Sequence, residues 1–237
     1  MAVKLKSVLK RIHWSLALKA AVFAASWFLL PLWLFFLIAL YLYFVPPFQS
    51  GKLVAPFLVL MFFATTLTPS LWLAALFGVL WYLILGIKDL VFIDRKEAYE
   101  SLVLLLIFFS GIRFFAHFDS WSGIMPLLAD LLFGAAVFLL CKGFLGYVDE
   151  AHGVSRERKA IAAVVAALVI FEAALIIVFL PLHFLYQASL FFITALVFLE
   201  SVFEYARGAL TRRMLLMNFS IFFVFLVIIL GSAKWTL

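Results

Sequence analysis

Charge is scarce in this chain. Asp, Glu, Lys and Arg together make up 13% of its 237 residues, against about a quarter in an ordinary soluble domain. Apolar residues account for 68%, and Phe alone occurs 30 times. That balance excludes a water-soluble fold, which has no way to hide so much apolar surface. Cysteine is nearly missing too: Cys141 stands alone, so no internal disulfide can form. It falls in an apolar run, where a small buried packing residue is expected rather than a reactive thiol. The strings HExxH, GxSxG and GxxxxGK[ST] do not occur, which removes the usual marks of a zinc peptidase, an α/β-hydrolase and a P-loop NTPase. The four histidines, His13, His117, His152 and His183, lack metal-ligand spacing, so neither a metal nor a cofactor is expected.

What is present is a series of long apolar runs. The reading is an all-α, polytopic transmembrane helix bundle of seven or eight spans, forming one integral membrane domain over residues 1–237. Each crossing of a hydrocarbon core about 30 Å thick needs around 20 residues. The first run covers residues 20–44 and contains Pro31, which predicts a kinked span. Residues 53–87 are too long for one crossing, and "TLTPS" (66–70) divides them into a hairpin of two short helices. Further spans are expected near 98–116, 122–147, 159–181, 185–206 and 213–233. Before them, Leu5, Val8, Leu9, Ile12 and Leu16 share one helical face, with Lys6, Lys10 and Arg11 off it. That pattern predicts an interfacial amphipathic helix over 3–17, suited to an anionic membrane surface. No small-residue cleavage site follows the first run, so that run is expected to be retained. There is no internal repeat, soluble domain or low-complexity linker.

The net charge of +6 describes orientation, not nucleic-acid binding. Lys88, Arg95, Lys96, Lys142, Arg156, Arg158, Lys159, Arg207, Arg212 and Arg213 gather on one side, while the opposite loops near 117–121 and 181–187 carry none. By the positive-inside rule the loops 88–97, 149–159 and 207–213 are cytoplasmic, in a membrane expected to be a bacterial-type plasma membrane. One conflict follows. Three crossings before residue 88 would put the basic N-terminus outside, unless an early segment fails to cross.

Ionisable residues inside the apolar runs are the default functional candidates, because each is costly to leave unpaired. Arg113 and Asp130 lie near the non-cytoplasmic ends of neighbouring helices, and Glu172 lies deeper in the next. Together with His183 they form the candidate binding set, an Arg113–Asp130–Glu172 cluster rimmed by His117 and His183. The bland alternative is good for Arg113. The run "LVLLLIFF" (102–109) contributes roughly −4 kcal/mol to insertion, which offsets the approximately +2.5 to +3.5 kcal/mol of one central Arg. Glu172 is harder to excuse, because Glu is too short to snorkel from mid-helix.

Other features read as structural. Glu200, Glu204 and Arg207 fit an interfacial ion-pair group. Ala162/Ala166 and Ala163/Ala167 allow close helix approach, within one chain or between protomers. "NFS" (218–220) matches a glycosylation acceptor only as a string. Three function classes remain. The best fit is a membrane-embedded structural or assembly subunit, with the lipid bilayer and a homo-oligomer or another membrane protein as partners. A small transporter or channel with an outward-facing charged site is the alternative, and an intramembrane enzyme on a lipid-linked substrate is the third.

Overall fold

The computed structural model describes residues 14–45, 50–89, 95–118, 122–148 and 156–233. The expected interfacial helix over 3–17 falls mostly outside them. The described residues hold helices α1 (Trp14–Leu29), α2 (Leu32–Phe44), α3 (Val54–Thr66), α4 (Leu71–Lys88), α5 (Arg95–Phe118), α6 (Met125–Val148), α7 (Arg156–Val178), α8 (Phe184–Arg207) and α9 (Arg212–Ser232). A short 3₁₀ turn, Ser50–Leu53, precedes α3. Helices α4 to α9 are long and apolar enough to cross a membrane, which is compatible with a membrane protein. The other three are apolar but only 13 to 16 residues long, about 20–24 Å at helical rise. Among the described residues six helices have spanning length, so the expected seven or eight spans are not confirmed. The chain divides into two compact units, residues 1–102 and 103–237, with the division inside α5.

In the first unit the single kinked span expected at 20–44 is replaced by a hairpin. The rings of Phe23 and Phe35 meet with centroids 5.2 Å apart, whereas a continuous helix would separate residues twelve apart by about 18 Å. Pro31 causes the break: it disfavours helical backbone at the residue before it, and it sits extended at the start of α2. Helices α3 and α4 are separated at "TLTPS" as expected, and the Ser70 hydroxyl accepts the Leu73 N–H to cap α4.

Aromatic packing joins the two hairpins. Phe23 stacks on Trp81 at 4.0 Å, Trp27 meets Phe77 edge-on at 4.5 Å, and Tyr43 stacks on Phe57 at 4.3 Å. The Trp27 indole donates to the Ala64 carbonyl near the tip of the second hairpin. At the opposite end, Lys19 Nζ lies 3.6 Å from the Asp89 carboxylate and donates to the Val45 carbonyl. The first turns of α1 and the end of α4 therefore lie together, and four helices stand before residue 89 where three apolar segments were expected.

The second unit is an up-and-down arrangement. Phe114 on α5 faces Phe133 on α6, and Phe133 and Phe191 bring the starts of α6 and α8 together. Phe144 and Phe203 join their ends. The Gln187 amide donates to the Val178 and Leu180 carbonyls, satisfying groups that the end of α7 leaves open. The Arg158 guanidinium lies over the Tyr205 ring at 5.4 Å, so α7 starts where α8 ends. Small residues permit these contacts. A Cβ at Gly111 would stand 2.6 Å from the Phe191 ring, and Ala162, Ala163, Ala166 and Ala174 are buried. The small-residue pairs of α7 therefore serve packing within the chain. Gly208, at φ +73°, ends α8 in the left-handed conformation. Cys141 is fully buried, in keeping with a packing role.

Helix α9 is attached differently. Its one buried residue is Asn218, whose amide donates to the Ser201 hydroxyl on α8 at 3.4 Å. The "NFS" string is therefore a helix–helix contact.

Candidate functional site

The second unit carries the four candidate residues at one end, where α5 and α7 finish and α6 and α8 begin. Arg113 is five residues before Phe118, Asp130 five after Met125, and Glu172 six before Val178. At 1.5 Å per residue each is about 7.5–9 Å inside its helix end. They share a layer, but no hydrogen bond or ion pair joins any two of them among the described residues.

Each has a different environment. Arg113 is half-buried and its Nη1 donates to His117 Nε2 at 2.6 Å, one turn further along α5. Arg carries only donors, so His117 accepts through that nitrogen. Asp130 is completely buried, and neither of its carboxylate oxygens has a hydrogen-bond partner among the described residues. A buried carboxyl without a partner has nothing to offset its desolvation. His183 is exposed and caps α8, its Nδ1 accepting the Leu185 N–H at 3.4 Å. That contact accounts for His183 as a helix cap.

Glu172 faces away from the rest of its unit. It is exposed, and so are Ile161, Val165, Leu168, Ile176 and Phe179. These six recur at intervals of four, three, four, four and three residues, the spacing of a helix–helix seam. One carboxylate thus stands in an otherwise apolar stripe that no helix of this unit covers.

A charged group in the first unit had no sequence signal as a buried site. Lys88, expected as a loop cation, has a side chain with 0% exposure and lies 3.0 Å from Asp89. Its Nζ stands 5.8 Å from the centre of the Tyr43 ring. With Lys19 on the other side of Asp89, two ammonium groups flank one carboxylate where the two hairpins meet. In the sequence the adjacent Lys88 and Asp89 read as a solvated loop pair.

No group of three or more His, Cys, Asp or Glu arranged to hold a metal occurs among the described residues. Comparison with family models, with curated proteins and with solved structures finds no match for this chain.

Proposed function

We propose that the protein is a membrane-embedded structural or assembly subunit, whose α7 stripe docks a transmembrane partner. The observation that carries this reading is Glu172, a carboxylate at the centre of an uncovered, seam-spaced apolar stripe. A stripe that only met lipid would gain nothing from Glu and would bear its cost of solvation in hydrocarbon. Facing a second helix, the same side chain acquires a polar partner and fixes the register of the contact. In this reading the membrane is a bacterial-type plasma membrane, with the loops 88–97, 149–159 and 207–213 on the cytoplasmic side.

The test is the size of the protein extracted from its membrane in a lipid nanodisc. The wild-type chain is expected to run in a complex larger than one copy. Glu172→Leu should lower the complexed fraction about tenfold, the scale of a 1–2 kcal/mol interhelical polar contact. Monomers of both chains would overturn the reading. A second reading, a small transporter, draws support from Asp130, the buried carboxyl without a hydrogen bond. It requires a solute flux that Asp130→Asn abolishes while the protein keeps its fold.

A further inference from the structure

Glu172 needs a partner of definite charge, and this inference rests on the assembly reading above. The stripe from Ile161 to Ile176 runs about 22 Å along α7, and Glu172 is its one polar member. Among the described residues its carboxylate has no hydrogen bond and no ion pair. It lies about 9 Å inside the Val178 end of the helix, with exposed Leu168 and Ile176 one turn away on either side. A second helix laid on this face removes the remaining water from the carboxylate. A neutral donor opposite it leaves a net charge in hydrocarbon, whereas Lys or Arg neutralises that charge. The charge-assisted bond is also about twice as strong as a neutral one. The benefit runs both ways, since a lone Lys or Arg is itself costly in a transmembrane helix.

The second unit of another copy does not supply that cation. Among its described residues Arg113 is the one Lys or Arg in this layer. It is engaged within its own chain, with His117 and in a further interaction. Helix α9 has an almost wholly open surface, but at the same level its segment "VFLVIIL" (224–230) contains no polar residue. Contact of α7 with the α7 of a second copy would set two carboxylates against each other at one depth, with like charges facing. We propose that the α7 stripe binds a transmembrane helix of a different protein, which carries one Lys or Arg at the level of Glu172 and apolar residues at heptad spacing on either side.

Synthetic transmembrane helices test this. Each is a run of Leu and Ala about 20 residues long, with Arg, Gln or Leu placed about 9 Å inside one end. The full chain carrying a donor dye is reconstituted with acceptor-labelled helix in phosphatidylcholine vesicles, and energy transfer reports binding. The Arg helix is expected to half-saturate the chain at a mole fraction about tenfold below that of the Leu helix, with the Gln helix close to Leu. Glu172→Gln, a change of nearly equal size on an open face, should abolish that advantage. Glu172→Lys should transfer it to a helix bearing Glu at the same position, which a purely structural role of Glu172 does not predict. Equal binding of the Arg and Gln helices, or no reversal in Glu172→Lys, would overturn the charged partner. So would a membrane-extracted complex that contains this chain alone. Each of these results leaves the assembly reading standing where Glu172→Leu still breaks the complex, whereas a wild-type monomer in nanodiscs would overturn both.

Discussion

Asp89→Ala is expected to destabilise the protein by about 3–5 kcal/mol, the cost of removing one member of a buried ion pair. The side chain of Lys88 is wholly enclosed, with Asp89 3.0 Å away. Without that carboxylate the ammonium loses the countercharge 3.0 Å away while remaining out of water. The Lys19 contact contributes less, because Lys19 is 30% exposed and sits farther off at 3.6 Å. The effect therefore belongs mainly to Lys88, which a double variant can show. Lys88→Met combined with Asp89→Ala should recover most of the loss, since an apolar replacement of a buried pair is often neutral. Thermal unfolding in detergent reads both. If Asp89→Ala leaves the midpoint unchanged, Lys88 is not held by this pair and the hairpins are closed by the aromatic core alone.

Asp130→Val is expected to act in the opposite direction and raise stability by about 1–3 kcal/mol. The substitution removes a buried carboxyl that makes no hydrogen bond, and a group of that kind carries its desolvation cost without compensation. Valine is close in size, so the packing against neighbouring side chains is disturbed little. An increase in the unfolding midpoint would mark Asp130 as retained for a purpose other than stability, because natural sequences depart from local consistency chiefly at functional positions. A decrease of similar size would mean that the carboxyl is bonded in the membrane-inserted protein, and would remove the main support for the transporter reading.

The five long helices of the second unit were legible because polar breaks separate them. Their observed ends lie within three residues of the expected ones. The first hairpin was not legible. "SWFLLPLWLFF" (26–36) turns the chain around without one charged residue, and its only polar residue is Ser26. In an apolar setting the usual polar turn signal is absent, and Pro31 reads as a kink or a break with equal force. Only the contact of Phe23 with Phe35 decides between them.

The site was half legible for a related reason. Arg113, Asp130 and Glu172 stand out because charge is rare in an apolar run, and their shared layer follows from helical rise alone. Their directions do not. In "AAVVAALVIFEAALIIV" (162–178) every face is apolar, so hydrophobicity cannot separate the packed face from the lipid face. Residue size does carry a signal. The buried positions include Ala162, Ala163, Ala166 and Ala174, while the uncovered stripe holds larger side chains and Glu172. Read by size, that segment would have turned Glu172 outward. The buried Lys88 had no such marker, since it borders a charged loop and only the surrounding fold encloses it.

The account turns on what touches the α7 stripe in the intact membrane. A photoreactive side chain placed at Leu168, one turn from Glu172 on the same uncovered face, reports this directly. Irradiation of native membranes is expected to yield a protein–protein adduct through Leu168, and Glu172→Leu in the same chain is expected to abolish it. Adducts with lipid alone, unchanged by Glu172→Leu, would contradict the claim that this stripe is an assembly surface.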